Sequence, residues 1–409
     1  MPGMVSGTVR SCQLVAAASL LVAGFPAAAQ AQQQISAEQE PDTVPQQAGP
    51  PADAPAKGKP KFLQRFFDDE DGKFDFSKFL AKGGFIPMPV IITEPAVHGG
   101  YGVVAQFITV PKDDPRNVTR RMLGAFKTGN GSYGFGYYQA GRGLDGLINY
   151  KFGIGRGEIT LDAHPSFLPT ALTYTSKYKY GILGSILVHL PDKRFSAGPL
   201  IDFRKLSSSV DFEDPLPIAN DFGRTLTTGA LGFGVHFDSR DNTMTPTKGV
   251  NAYVQGKFDS AAFGSDRTFQ KYDADLYAFH GLSPKWRLGY KAEFSAMRGD
   301  FPIYFAPAVN LRGVEAQRYQ GSNVFSTEVE LTRQLSTRWA LLAFAGVGAS
   351  WAGDRRLFDD SGAKFAGGGG FRYRIARKLG LDAGIDVAVG PGGGIFYLQF
   401  GHAWAFGMD

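Results

Sequence analysis

KWRLGYKAEFSA, residues 285–296, alternates with a period of two. Trp286, Leu288, Tyr290, Ala292, Phe294 and Ala296 fall on one face, and Lys285, Arg287, Lys291, Glu293 and Ser295 on the other. Successive side chains of a strand point to opposite faces, so one face of this segment suits an apolar medium and the other suits water. The pattern recurs. In 231–238, Leu231, Phe233, Val235 and Phe237 oppose Gly232, Gly234, His236 and Asp238; in 379–389, Leu379, Leu381, Ala383, Ile385, Val387 and Val389 oppose Asp382, Gly384 and Asp386. After Ile86-Pro87-Met88-Pro89 no helix-period segment of comparable length interrupts the series.

A soluble sandwich would bury its apolar faces against a second sheet, with turns about every 8–12 residues. The segments here are often longer. A strand tilted across a bilayer needs about 9–11 residues in the apolar zone, plus extensions beyond it. Lipid offers no hydrogen bonds, so such strands must close on themselves. Between Gly99 and Phe406 the alternation gives roughly fifteen or sixteen strands, and the even-number rule of bacterial barrels selects sixteen. The expected fold is all-β, a transmembrane antiparallel β-barrel over 83–409. Leu190-Pro191-Asp192-Lys193, Ser283-Pro284-Lys285, Ser336-Thr337 and Arg377-Lys378 read as short periplasmic turns, and 207–224, 299–323 and 353–362 as external loops.

Composition agrees. Gly 53, Phe 34 and Tyr 16 are high counts, and a mean hydropathy of −0.14 is what remains when lipid-facing and lumen-facing residues cancel. The net charge of +5 is mild and spread along the chain, which gives no footprint for nucleic acid.

The N-terminus carries Arg10, an apolar stretch Leu14–Phe25 and the A-x-A site Ala29-Gln30-Ala31, so 1–31 reads as a secretory signal peptide. Its apolar core is too short to span a bilayer as a mature helix. Cys12, the single cysteine, falls inside it, which leaves the exported chain with neither a disulfide nor a cysteine ligand set. About 380 residues remain, enough for two or three soluble domains or one large barrel.

Residues 32–82 read as a disordered periplasmic tether, rich in Gln, Pro, Ala and acidic residues up to about Lys61. FLQRFFDDEDGKFDFSKFL at 62–80 interleaves Phe62, Phe66, Phe67, Phe74, Phe76 and Phe79 with charge, and fits a short amphipathic helix or a plug. Asp68, Asp69, Asp71 and Asp75 suggest a calcium loop. However, Gly72 is wrongly placed for an EF-hand and no twelfth-position Glu follows, so a solvated acidic turn is the plainer reading.

Four stretches together resemble the BamA/TamA family of bacterial surface antigen barrels, over roughly 82–409. GFIPMPVIITEPAVHGGYG at 84–102 is similar to the lead-in to the family's first strand. HFDSRDNTMTPTKGV at 236–250 carries the block Asp238, Arg240, Asp241 and Asn242, an ordinary solvated turn by its chemistry and a fold marker by the resemblance. LRGVEAQRYQGSN at 311–323 holds Leu311, Arg312 and Gly313, similar to a motif whose loop folds back into the barrel and whose arginine pairs with acidic residues of the inner wall. An arginine confined in a lumen needs carboxylate acceptors. Glu328 and Glu330 have the inward parity for this, and Asp382 and Asp386 are further candidates. Phe344-Ala345-Gly346-Val347-Gly348 lacks an aspartate that assembly members of the family often carry there. Last, Gln399, Gly401, Trp404 and Phe406 fit the C-terminal signal by which assembly machinery recognises barrels; Gly407, Met408 and Asp409 trail beyond it.

The resemblance implies insertion or translocation of proteins at the Gram-negative outer membrane. Its implied partners are outer-membrane lipid, the barrel assembly machinery for the protein's own insertion, and unfolded or nascent outer-membrane clients. The stretch between Gln32 and the first expected strand is too short for a complete POTRA module, so substrate capture does not carry over. No cofactor or metal is implied, and no enzyme motif appears: HExxH, GxSxG and paired histidines are lacking, and the six histidines lie in different segments. His236 and Asp238 share an inward face, an arrangement a lipid-modifying barrel enzyme could use, but a plain wall-lining pair is the favoured reading. His402 takes the outer parity near the rim. Two classes stay open: an insertase or translocation pore whose first–last strand seam opens, eased by Gly367–Gly370 and Gly392–Gly394, and a passive channel plugged by the 62–82 segment or the 299–323 loop.

Overall fold

The computed structural model describes residues 27–28, 66–80, 85–92, 94–109, 119–163, 172–210, 223–243, 245–352, 358–377 and 380–404. Most of the expected signal peptide, the Gln32–Lys61 tether and Phe406 lie outside these residues.

Sixteen antiparallel strands form a nearly closed barrel. They are β1 (Phe85–Ile92), β2 (Gly100–Thr109), β3 (Thr119–Thr128), β4 (Tyr133–Gly143), β5 (Ile148–Ala163), β6 (Leu172–His189), β7 (Phe195–Val210) and β8 (Arg224–Asp238), followed by β9 (Gly249–Asp259), β10 (Phe269–Ser283), β11 (Trp286–Gly299), β12 (Asn323–Gln334), β13 (Trp339–Trp351), β14 (Lys364–Ala376), β15 (Leu381–Gly390) and β16 (Gly393–Phe400). Each strand pairs with the next in sequence, as in Lys291 opposite Glu328 and Glu328 opposite Gly346. β5 and β6, at 16 and 18 residues, exceed what a bilayer requires and project beyond it.

Alternation is what places each side chain. Along β3 every second residue is buried from Arg120 onward, and the intervening Leu123 is 59% exposed. Phe135, Phe233, Val254 and Phe365 are likewise outward and more than half exposed. So continuous an apolar surface would drive association in water, and it matches the lipid-facing band of a membrane barrel. Trp286, Trp339 and Trp351 lie at strand ends on this outer face, where interfacial aromatics belong.

The strand boundaries differ from expectation at both ends of the series. The 84–102 stretch is more than a lead-in, because Phe85–Ile92 is itself the first strand. The last strand stops at Phe400 rather than Phe406. Pro87 and Pro89 are tolerated because an edge position does not need their missing N–H groups. They sit two apart and therefore share one edge. Since β1 makes a full ladder with β2, the edge that lacks donors is the one turned toward β16.

The inside is filled. At the end carrying the longer loops, Phe301, Tyr304 and Phe305 of the β11–β12 loop pack on Ile159, Leu161, Tyr174, Tyr178 and Leu206. At the opposite end, where the short turns lie, Val104, Met122 and Tyr138 meet Ile375, Ala376 and Leu381, with Phe76 of the N-terminal segment against them. Leu381, read as outward-facing, is thus buried. Charged residues occupy the zone between.

Candidate functional site

The β11–β12 loop turns inward as a hairpin. Val309 donates its N–H to Tyr319 O at 2.9 Å and Gly321 to Pro307 O at 3.1 Å. Asn310 pins it to the wall, donating to Ser326 Oγ at 2.9 Å and to Glu293 Oε2 at 2.7 Å, while Lys291 Nζ reaches Asn310 O at 2.9 Å. Leu311 is buried with Val309, Val314 and Val324. This leaves Arg312 pointing into the middle of the lumen.

Arg312 donates through Nε and Nη2 to Glu328 Oε1 at 3.0 and 2.7 Å, through Nη2 to Glu330 Oε2 at 2.8 Å, and through Nη1 to Asp386 Oδ2 at 2.7 Å. Its guanidinium lies 3.6 Å from the centroid of Phe344. The residue standing near the missing aspartate therefore supplies a ring face instead of a carboxylate. Burial works against the charged guanidinium, but Glu328, Glu330 and Asp386 outweigh it and hold Arg312 charged, with its pKa above the ordinary arginine value. Arg372 shares Asp386 through two bonds of 2.5 and 2.9 Å. Asp382 is not a partner of Arg312. It lies farther along β15, where Arg374 takes it at 2.8 Å.

Gly313 adopts φ +94°, and a Cβ there would stand 3.1–3.2 Å from Val389 and Ala388. That close approach lets its N–H donate to Tyr397 Oη on β16 at 2.7 Å. Three residues on, Ala316 N–H donates to Glu94 Oε1 at 3.0 Å. Glu94 begins the turn after β1, and its side chain also accepts from Ala96 N–H at 3.4 Å. The hairpin tip therefore touches both strands of the seam. Sequence reasoning missed Tyr397 and Glu94, since only the closed ring brings them to the same loop.

At the seam, each consecutive strand pair from β1–β2 to β15–β16 has a residue register, whereas none joins β16 to β1 among the described residues. Instead Ala27 and Ala28 pair with Leu398 and Tyr397 on the β16 edge.

The C-terminal residues depart most from expectation. Gln399 is buried on the inner face, Gly401 takes φ +80°, and the chain then turns into the lumen. Trp404, read as part of the C-terminal assembly signal, is 5% exposed and donates Nε1–H to Glu328 Oε1 at 2.8 Å. His402, expected at the outer rim, is buried with Nε2 3.1 Å from Glu330 Oε1. Its Nδ1 accepts Trp404 N–H at 3.3 Å, which leaves the ring proton on Nε2, facing the carboxylate. Strand parity fails here because the strand has ended.

In the 236–250 block Asp238 and Arg240 are withdrawn from solvent, whereas Asp241 stays at the surface. Asp238 takes Arg240 through Nε and Nη2 at 2.9 and 2.8 Å, and the Arg240 side chain is 1% exposed. Asp241 accepts Thr247 and Lys248 N–H groups at 2.9 and 3.2 Å, and Asn242 accepts Thr245 N–H at 2.9 Å. Thr245 reaches across to Gly380 O at 2.5 Å. His236 Nε2 lies 2.8 Å from Asn251 Nδ2. With Asp238 held by Arg240, no hydrogen bond between His236 and Asp238 is formed among the described residues, and the pair lacks the base–orienter contact that acid–base chemistry would use.

The acidic segment is an exposed turn over 69–74 whose carboxylates are ion-paired rather than grouped as a calcium loop. Arg338, in the β12–β13 turn, donates to Asp68 at 2.9 Å, Asp71 at 2.7 and 2.9 Å and Asp75 at 2.6 Å. Arg377 adds Asp68 at 2.8 Å and Glu70 at 2.5 Å, and Phe76 N–H bonds Ile375 O at 2.7 Å. The segment lies along the turn end between these two turns and the start of β1, and Phe66 and Phe76 pack edge to face at 5.6 Å.

Residues 201–400 match the family model of the Omp85 superfamily domain. The chain is similar to solved barrels: BamA from Haemophilus ducreyi lacking POTRA domains 1–3 (TM-score 0.51, 13% identity, 83% of this chain and 80% of that one) and CdiB from Escherichia coli (TM-score 0.55, 8% identity, 83% and 72%). CdiB from Acinetobacter baumannii gives a TM-score of 0.50 at 8% identity, over 74% of this chain and 57% of that one. No curated protein matches the sequence. At such identities the structural likeness speaks to the fold alone. Residues 201–400 of this sixteen-stranded barrel, which include the inward loop between β11 and β12, are similar to the Omp85 superfamily domain.

Proposed function

We propose that this protein is an outer-membrane barrel that inserts or translocates other proteins by opening between β1 and β16. The observation that carries this reading is the seam: Pro87 and Pro89 remove donors from the β1 edge, no register joins β1 to β16 among the described residues, and the inward loop bonds to Tyr397 on one side of the seam and to Glu94 on the other. Barrels of this superfamily insert or translocate proteins, and an unpaired β16 edge suits strand addition by an unfolded outer-membrane client. Ala27–Ala28, which occupy that edge, fall in the stretch read as a signal peptide. Cleavage after Ala31 on export would bare it. In this reading 1–31 is removed, the rest of the N-terminal region up to 82 is a periplasmic tether whose 66–80 part docks on the rim, and the turn end faces the Gram-negative periplasm. The protein's own insertion would use the cell's assembly machinery, and no catalysis is involved.

The test is the folding rate of an unrelated small outer-membrane barrel into liposomes, with and without this protein and its Arg312→Ala variant. Acceleration by the wild type that the variant loses is the expected result. No acceleration by either form overturns the insertase reading.

A plugged channel is the second reading, and a specific observation favours it: Phe301, Tyr304 and Phe305 stopper one end of the lumen and Phe76 packs at the other. Under it, planar bilayers with the wild type stay closed, and removing 301–305 opens a steady conductance.

A further inference from the structure

Toward the loop end, the outer wall of β3–β7 carries cations above its apolar band. Lys127, Arg156, Lys177 and Lys179 are exposed there, and Lys205 is half-buried. A bulge in β6 adds to them. Tyr178 and Tyr180 pair with Leu206 and Lys205 on β7, and Lys179 between them has no register partner on either neighbouring strand. The extra residue turns Lys179 and Tyr180 to the same side, beside Arg156 and Lys205, where strict alternation would have sent Tyr180 inward. The five cations lie about 8–12 residues from the turn ends of their strands. About 9–11 residues cross the apolar zone of a bilayer, so these side chains stand at its loop-end boundary. Tyr101, Tyr133 and Tyr180 accompany them on the outer face, as interfacial aromatics do. Leu123, Phe135, Phe152, Ile154 and Ile201 continue that face toward the turn end. Glu158 takes Lys177 at 2.8 Å, and Asp162, beyond it on β5, accepts Thr173 Oγ1 at 2.6 Å. Five cations against two carboxylates leave this part of the wall positive among the described residues. The opposite wall at the same end presents Phe258, Tyr272, Phe325 and Phe365 instead.

We propose that this patch binds a phosphorylated, multiply acylated glycolipid of the outer leaflet, with its phosphates on the cations and its acyl chains on the apolar face beneath. Positive charge directly above exposed apolar surface selects an anionic amphiphile over a soluble anion, because both contributions to binding are then used. Arginine meets a phosphate through a planar fork and lysine as a point charge. Width decides the class of lipid. The cations extend from β3 to β7, five strands about 4.8 Å apart, and so cover roughly 19 Å. A single phosphodiester reaches one or two of them, whereas two phosphates on a sugar scaffold reach across the row. The inference takes from the proposed function only that the loop end faces outward, and it holds whether or not the seam opens.

The test is native mass spectrometry of the purified full-length barrel released from zwitterionic detergent, titrated at fixed ionic strength with bisphosphorylated lipid A and, separately, with phosphatidylglycerol. Lipid A should bind about tenfold or more tighter than phosphatidylglycerol. Its affinity should fall about tenfold or more in Arg156→Gln/Lys179→Gln/Lys205→Gln, as loss of three charged contacts implies. Arg121→Gln, which removes an exposed cation at the turn end of β3, should leave it unchanged. Heat-modifiable gel mobility shows that each variant is folded. No binding of lipid A by the wild type, equal affinity for phosphatidylglycerol, undiminished binding by the folded triple variant, or an equal loss in Arg121→Gln overturns the proposal. None of these readouts involves insertion of a client, so failure here is distinct from failure of the insertase reading.

Discussion

Ala316 donates its backbone N–H to Glu94 at 3.0 Å, tying the inward loop to the turn that follows the first strand. Burial pushes the Glu94 carboxyl up to about 7, against the opposing pull of the Ala316 and Ala96 N–H groups. The folded protein therefore holds a proton that the unfolded chain loses near the ordinary glutamate value of ~4.3. Stability falls as pH rises between those two values and is flat on either side. The contact should loosen from pH 5 to pH 7 and change little above that, seen as faster protease cleavage of the 311–321 stretch. Glu94→Gln keeps the acceptor and removes the charge, so cleavage of that variant should not change over this range.

Arg312→Ala leaves Glu328, Glu330 and Asp386 buried without their shared cation. Removing one partner of a buried ion network costs about 3–5 kcal/mol. Arg312→Lys should recover only part of this, because an ammonium cannot reproduce the three-way fork or lie flat on Phe344. Urea titration of the heat-modifiable band measures both variants, and full recovery by lysine would contradict the geometry.

Arg338 pulls the Asp71 carboxyl down to about 2. A depressed carboxylate contributes stability above its ordinary value of ~3.9, and that contribution disappears as pH falls toward about 2. The 66–80 segment should remain docked at pH 5 and release near pH 2. Arg338→Ala should release it at neutral pH while the barrel stays folded. Hydrogen exchange at Phe76, whose N–H is bonded to Ile375 O, reads the release.

The four tryptophans divide by environment. Trp286, Trp339 and Trp351 are 37%, 44% and 38% exposed on the outer face, and Trp404 is 5% exposed against Glu328. In single-tryptophan variants, brominated acyl chains should quench the first three and leave Trp404 fluorescent. Quenching of Trp404 would mean that the C-terminal residues continue outward as a strand.

The sequence by itself determined the all-β barrel, its strand count and the facing of residues such as Trp286 and Glu328, because strand parity is a local property that follows from a period of two. It also singled out Arg312, Glu328, Glu330 and Asp386, which share the inward parity or an inward loop. Parity does not carry across a chain reversal, so it misplaced His402 once Gly401 had turned the backbone inward. Nor does composition identify partners. Asp68, Asp71 and Asp75 read as a solvated or calcium-binding turn until Arg338, more than 250 residues away in sequence, met them at the rim. Ring closure decided the rest: Glu94, Gly313 and Tyr397 are remote in sequence and meet only when β1 comes round to β16. Contacts of that kind depend on where the barrel closes, and no periodicity along one strand encodes it.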